Sequence, residues 1–129
     1  MIALALAAAL ATTPLAPLPK WASQLVAEDW DPLLGVTDLI VFTRPARGSA
    51  VSEFVRLWVR RENKLRTPLS VAELYEFDCK GGRVRILNST GFAQHNLRGK
   101  SQALRTETSV WVNPIPDTVG GSLLEKACP

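Results

Sequence analysis

Two cysteines and one histidine are the side chains of this 129-residue sequence best suited to covalent or metal chemistry. Cys79 stands directly before a Lys-Gly-Gly segment, and Cys128 follows 49 positions later. A catalytic thiolate would need a histidine partner, and His95 lies in "FAQHNLRGK", a stretch typical of an exposed turn. A zinc site would need three or four ligands, and the sequence has neither a C-x-x-C nor an H-x-x-x-H pair. A disulfide is the favoured chemistry, and neither a metal nor another cofactor is expected.

The first sixteen residues are typical of a secretory signal peptide. Ten Ile, Leu and Ala residues follow Met1, and small side chains place the cleavage near Ala11 or Ala16. The apolar run is shorter than the roughly 20 residues that cross a bilayer, and prolines end it. Because no Lys or Arg precedes the run, a buried Ala/Leu helix is the alternative. Cleavage would leave residues 17–129 in an oxidising compartment, the periplasm or the cell surface.

Export favours a bridge between Cys79 and Cys128, because disulfides persist in oxidising compartments. With two cysteines, one pairing exists. Closing a loop of this length would stabilise the domain by about 4 kcal/mol in the chain-entropy model, and about 2 to 4 kcal/mol is typical in practice. Such a contribution is a large share of the stability of a small domain.

The composition is that of one globular domain. The hydrophobic fraction is 47% and the charged fraction is 21%, and the length suits a single domain. No segment beyond the signal is long and apolar enough to span a membrane. The net charge of +3 is modest and no nucleic-acid recognition motif is present, so nucleic acid is not an expected partner.

Alternating apolar and polar residues predict about five antiparallel strands in meander order. The segments are "VTDLIVFT" (36–43), "EFVRLWVRRE" (53–62), "LSVAELYEFDC" (69–79), "RVRILNSTGF" (83–92) and "KSQALRTETSVWV" (100–112). In the second segment, Val and Leu alternate with Arg56, Trp58 and Arg60, so one side of the sheet should be dry and the other partly wet. Trp58 and Trp111 are expected in the core, since an indole buries a large apolar area.

The C-terminal segment changes to a helical period, with Asp117 as the candidate N-cap. Apolar side chains then recur at helical spacing, at Val119, Leu123, Leu124, Ala127 and Cys128. Two glycines in the first turn cost roughly 1 kcal/mol each relative to Ala, so this short helix would be marginal alone. A bond from Cys128 to the strand of Cys79 would hold it against the sheet. The predicted fold class is α+β, an antiparallel sheet of five to six strands with a C-terminal helix packed across it.

Four segments share their order and spacing with a known family. They are "RLWVRRE" with Trp58, "FDCKGGRVRIL" with Asp78 and Cys79, "RGKSQ" with Gly99, and "WVNPIPDTVGGSLLEKAC" with Trp111, Pro116 and Cys128. In this order they resemble the bacterial surface-adhesin protein E family, whose pattern combines a "vW" strand, an "xDC" strand followed by "R-x-R-x-L", and a W-x-x-I-x-P-x-S/T tail ending in cysteine. The resemblance runs from about "EDWDPL", at residue 28, to the C-terminus.

The resemblance implies a six-stranded antiparallel sheet with a C-terminal helix held on its concave face by a disulfide. The namesake of the family is an outer-membrane adhesin that binds host extracellular-matrix and serum proteins, so adhesion to host matrix or serum proteins is expected. A lipid anchor is not expected, because no cysteine directly follows the signal. The alternative is a soluble periplasmic structural or interaction protein of the same fold without an adhesin role.

Basic residues concentrate in the second half of the chain. Residues 80–105 contain no acid and six bases, Lys80, Arg83, Arg85, Arg98, Lys100 and Arg105. If Arg83, Arg85 and Arg105 share the outer face, the basic residues form a patch that would attract a polyanionic surface, such as sulfated glycans, lipid head groups or acidic proteins. The competing interpretation is a solvated face that keeps a sheet edge soluble.

A small hydrolase built on Ser, His95 and Asp is the alternative from another class of function. Only the presence of these residue types supports it, because the sequence has no G-x-S-x-G motif and spacing cannot show a triad. A binding protein is therefore expected rather than an enzyme. Self-pairing through a sheet edge, giving a homodimer, is also compatible with the sequence.

Overall fold

The computed structural model describes residues 18–47 and 54–129, and within these ranges the chain forms one antiparallel sheet with its strands in chain order. The strands are β1 (Asp31–Val36), β2 (Leu39–Pro45), β3 (Val55–Asn63), β4 (Ser70–Asp78), β5 (Arg83–Gln94) and β6 (Arg98–Arg105). A 3₁₀ helix, Lys20–Gln24, precedes the sheet, and an α-helix, α1 (Val119–Ala127), follows it. The predicted signal peptide, residues 1–16, lies outside the described residues.

The predicted α+β class is confirmed, with six strands rather than five. The additional strand is β1, most of which comes from the segment before "VTDLIVFT". Turn residues with left-handed backbone angles shape two of the hairpins. They are Gly82 (φ 64°) between β4 and β5, and Asn96 (φ 65°) and Leu97 (φ 59°) between β5 and β6. Each strand thus pairs with its neighbours in sequence.

One face of the sheet carries the main hydrophobic core, and α1 packs on it. The buried centre consists of Val41, Leu57, Val59, Phe77, Val84 and, from the helix, Leu123. Val119, Leu124 and Ala127 pack around this centre, so the predicted apolar stripe of the helix is confirmed. Burying a side chain of the size of Leu contributes about 1.5 to 3 kcal/mol, which helps to hold the helix on the sheet.

The two ends of α1 are fixed by different means. The N-cap is Thr118 rather than the predicted Asp117, and the Thr118 hydroxyl accepts a hydrogen bond from the Gly121 N–H at 3.1 Å. Asp117 has a φ of 66° and belongs to the turn before the helix. At the other end, the predicted disulfide between Cys79 and Cys128 is present, with 5.6 Å between the two Cα atoms. The bridge fastens the end of the helix beside the end of β4.

The opposite face is covered as well, at the end of the sheet that the N-terminal segment crosses. Ala22, Ile40 and Phe42 are buried there, with Trp21, Leu25, Ala27 and Trp30 packed around them. This end of the predicted partly wet face is therefore dry, while Arg56 on the same face stays 38% exposed. Arg60, predicted on that face, is only 2% exposed, because residues of the N-terminal segment lie against it.

The segment predicted as a single strand at 100–112 is divided in two. β6 pairs with residues 89–94 of β5. The chain then returns to the same edge of β5, where the Ser109 N–H donates to the Ile86 carbonyl and Val112 exchanges two backbone hydrogen bonds with Val84. β6 and this returning segment together form one edge of the sheet.

Residues 18–47 and 54–129 contain no helix long and apolar enough to cross a membrane. In the same ranges, no three side chains of His, Cys, Asp or Glu are grouped in a way that could hold a metal ion.

Candidate functional site

The basic residues predicted as one binding patch lie in two places. One group, Lys80, Arg83 and Arg85, follows the end of β4, and the other, Arg98, Lys100 and Arg105, lies along the edge strand β6. The arginines of the first group face carboxylates across the ladder between β4 and β5, whereas β6 carries no acid. The two groups therefore differ in how much of their charge is compensated.

Buried Glu76 joins arginines on both neighbouring strands. Arg56, Glu76 and Arg85 are directly opposite one another in the register of β3, β4 and β5. Arg56 Nε lies 2.9 Å from one carboxylate oxygen, and Arg85 Nη2 lies 2.6 Å from the other. Glu76 is 1% exposed, while the side chains of Arg56 and Arg85 retain exposures of 38% and 29%. Each oxygen of Glu76 thus has its own charged donor, which holds both guanidinium groups in place.

Arg83 is held in a similar way at the hairpin. Its Nη2 lies 2.7 Å from Asp78 Oδ2, and Asp78 Oδ1 accepts a hydrogen bond from the Gly81 N–H at 3.0 Å. Trp111 covers both hairpin arginines, with its ring centroid 4.3 Å from Cζ of Arg85 and 4.7 Å from Cζ of Arg83. Trp111 is half-buried against charged groups and lies outside the two hydrophobic clusters, so its predicted place in the core is wrong.

These hydrogen bonds and ion pairs lower the pKa values of both carboxyl groups. Burial alone would raise the pKa of Glu76, but hydrogen bonds and charges from Arg85 and Arg56 outweigh it, so the pKa falls below its ordinary value of 4.5. For Asp78, the Gly81 backbone N–H is the largest cause and Arg83 adds to it, so the pKa lies below 3.8. Both carboxylates are therefore ionised at neutral pH.

We expect the contribution of Glu76 to stability to disappear in acid. A carboxyl group with a lower pKa in the folded state stabilises the fold above its unfolded pKa, and this contribution is lost as the pH falls through the folded pKa. Below about pH 4.3, the urea midpoint of unfolding should therefore fall more steeply for the wild type than for Glu76→Gln, which cannot titrate there. Urea unfolding between about pH 3 and pH 7 measures both profiles. Exposed Glu125→Gln is the control, and parallel profiles for wild type and Glu76→Gln would contradict the expectation.

β6 is exposed along its whole length, in contrast to the compensated hairpin. All eight of its residues are exposed, and three of them are cations. Among the described residues, Arg98, Lys100 and Arg105 form no ion pair. An edge strand also presents backbone N–H and C=O groups that no neighbouring strand satisfies. β6 therefore combines uncompensated positive charge with an open hydrogen-bonding edge.

A buried polar cluster, missed by the sequence predictions, holds the N-terminal segment on the sheet. Fully buried Glu62 accepts hydrogen bonds from Arg60 Nε at 2.7 Å and from the Asn96 N–H at 3.0 Å. His95 Nδ1 lies 2.8 Å from its other oxygen. Arg60 also donates to the Val26 carbonyl at 2.7 Å and to Asn96 Oδ1 at 2.8 Å. The cluster thus connects β3, the β5–β6 turn and the N-terminal segment.

His95 lies in the β5–β6 turn as predicted, but it belongs to this cluster, so its predicted exposure is wrong. Its side chain is 11% exposed, and its ring stacks on Trp21 with 5.6 Å between the centroids. The sequence did contain a signal of the cluster. Arg60 and Glu62 are opposite charges two positions apart, which places them side by side on one face of a strand.

Comparison with known families shows what the chain is similar to. The family model for surface-adhesin protein E matches residues 30–129, which include all six strands, α1, both cysteines and both basic groups. No curated protein and no solved structure gives a significant match. The matched range covers most of the chain and agrees with the motifs around Trp58, Cys79 and Cys128. The chain therefore belongs to the surface-adhesin protein E family.

Proposed function

We propose that the chain is a non-enzymatic, exported protein of the cell envelope that binds host matrix or serum proteins, or other polyanionic surfaces, through β6. The observation that carries this proposal is the presence of three exposed cations, Arg98, Lys100 and Arg105, on an edge strand that contains no acid. Membership of the adhesin family supports a binding role. The Cys79–Cys128 disulfide supports an oxidising compartment, either the periplasm or the cell surface.

The charge balance favours β6 over the hairpin as the contact surface. At the hairpin, Arg85 already donates from Nε and Nη2 to Glu76, and Arg83 donates from the same two atoms to Asp78. An acidic partner would have to compete with these carboxylates. The cations of β6 have no such competitor among the described residues, so they attract an anionic surface directly. Because these side chains are exposed, added salt should screen their charges and weaken the attraction. The screening length is about 8 Å at physiological ionic strength.

Binding of the mature protein to immobilised laminin, vitronectin and heparin tests this proposal. The triple variant Arg98→Ser, Lys100→Ser, Arg105→Ser should bind about tenfold more weakly or worse than the wild type, and wild-type binding should fall as salt is added. Binding is measured by surface plasmon resonance at several salt concentrations. Circular dichroism should show an unchanged fold, since all three side chains are exposed.

A second triple variant, Lys64→Ser, Arg66→Ser, Lys126→Ser, is the matched control. It removes the same charge from exposed positions away from β6. Lys64, for example, lies beside the distant β1–β2 turn, where its backbone N–H donates a hydrogen bond to the Asp38 carbonyl. An equal loss of binding in both variants would show that net charge alone is responsible. The absence of saturable, salt-sensitive binding by the wild type would reject the adhesin role itself.

A further inference from the structure

A polar cleft lies beside β2 and β3, three strands away from β6. Its volume is about 760 Å³, within the range of small-ligand sites. The described residues that line it are Asp29, Arg44, Pro45, Arg47 and Trp58. None of them belongs to the basic patch predicted from the sequence. The lining combines two cations, one carboxylate and one indole ring, which together form a mixed set of donors, acceptors and apolar surface.

The central pair of the cleft is positioned by the sheet. Arg44 on β2 is directly opposite Trp58 on β3, so their side chains lie next to each other on the face opposite α1. Cζ of Arg44 lies 4.5 Å from the ring centroid of Trp30, which orients the guanidinium by stacking. Stacking occupies the flat face of the guanidinium and leaves its N–H groups at the rim free to donate. Trp58 is half-buried and, contrary to its predicted place in the core, belongs to neither hydrophobic cluster.

The cations of the cleft are available to a ligand. Arg44 and Arg47 are exposed, and neither forms an ion pair with another residue of the described ranges. Guanidinium groups bind the planar oxygens of carboxylates and the oxygens of sulfate or phosphate through paired hydrogen bonds. A bare inorganic anion would gain nothing from the indole ring and would be repelled by Asp29. A ligand that uses every lining group must carry an anion, hydroxyl donors and an apolar ring face.

A sugar ring bearing an acidic group has these three properties. We propose that the cleft at Asp29, Arg44, Arg47 and Trp58 binds one anionic saccharide unit, with its ring face on the Trp58 indole. Arg44 and Arg47 hold its sulfate or carboxylate group, and Asp29 accepts hydrogen bonds from its hydroxyls. This site is independent of β6 and of the function proposed for it.

Titration of the ¹⁵N-labelled protein with short saccharides tests the site. The probes are a sulfated heparin disaccharide, its unsulfated uronic-acid counterpart and a neutral disaccharide. The chain has four tryptophans, each with an indole N–H signal. The signal that is absent from the spectrum of Trp58→Leu is assigned to Trp58. We expect that signal to shift and saturate at millimolar or lower concentration with an acidic disaccharide, while the signal of Trp111 stays in place.

Variants separate the cleft from β6. Arg47→Gln should weaken binding of the acidic disaccharide by about tenfold, whereas Arg66→Gln, an exposed arginine of the β3–β4 loop, should leave it unchanged. The β6 triple variant should also bind the disaccharide normally, even if it no longer binds immobilised heparin. A shift of the Trp58 signal with the sulfated probe, the carboxylated probe or both supports the site. Which probe binds shows whether the cleft takes a sulfate or a carboxylate group. The proposal is overturned if the Trp58 indole signal does not shift at up to about 10 mM acidic disaccharide. It is also overturned if the neutral disaccharide binds equally well, or if Arg47→Gln binds the acidic disaccharide with unchanged affinity.

Discussion

Removing the disulfide should lower the free energy of unfolding by about 2 to 4 kcal/mol, a large part of the stability of a domain of this size. The bridge closes a 49-residue separation between Cys79 and Cys128, so its loss gives the unfolded chain more conformational freedom. The folded state also loses the fastening of α1. That helix has nine residues and two glycines in its first turn, so it depends on contacts with the sheet.

Urea unfolding of the oxidised protein, the reduced protein and the double variant Cys79→Ala, Cys128→Ala measures this effect. The reduced protein and the double variant should have similarly lowered midpoints. Dithiothreitol should not change the midpoint of the double variant, which controls for other effects of the reagent. Equal midpoints for oxidised and reduced wild type would show that burial of Leu123 and its neighbours suffices to hold the helix.

Replacing Glu62 by Ala should destabilise the protein by about 3 to 5 kcal/mol, because it leaves the buried guanidinium of Arg60 without its carboxylate. Arg60 is 2% exposed and Glu62 is 0% exposed, so the guanidinium is out of contact with bulk water. The Asn96 N–H and His95 would lose an acceptor in the same step. We therefore expect the N-terminal segment to separate from the sheet before global unfolding.

The double variant Arg60→Leu, Glu62→Leu tests whether stability is lost because one buried charge is left unpaired or because the ion pair itself is absent. Replacing both charges by apolar side chains removes the unpaired buried charge, so much of the lost stability should return. Stability is measured by urea unfolding, and release of the N-terminal segment by the fluorescence of Trp21, which stacks on His95 in the folded protein. Exposed Glu125→Ala is the control. A double variant as unstable as Glu62→Ala would contradict the charge explanation.

The sequence predicted the strands and the helix that have regular periods and clear turn residues. Apolar residues alternate with others at the start of β3 and of β5, Gly residues mark the turn between β4 and β5, and α1 has its apolar residues at helical spacing. β1 was harder to recognise, since Pro32 and Gly35 are uncommon in strands and a bulge follows Pro32. Such residues are tolerated because β1 lies at the edge of the sheet.

The charged and aromatic groups were harder to assign than the strands. Alternation shows which residues share a face of a strand, but it does not show what covers that face. Arg60 is buried by a segment 34 residues away in sequence, through the Val26 carbonyl. Likewise, the partners of Arg83 and Arg85 depend on the register of β4 with β5. The disulfide was predictable because two cysteines allow only one pair.

The chain order of the strands has a consequence for the speed of folding. Every strand pairs with its immediate predecessor or successor, so each pairing step closes only a short loop and has a small entropic cost. We expect hairpins to form early and the sheet to grow outward from them. The packing of the N-terminal segment and of α1 on the two faces of the sheet should form later, because each requires a completed sheet surface. Rapid sheet formation would thus be followed by slower docking of the two chain ends.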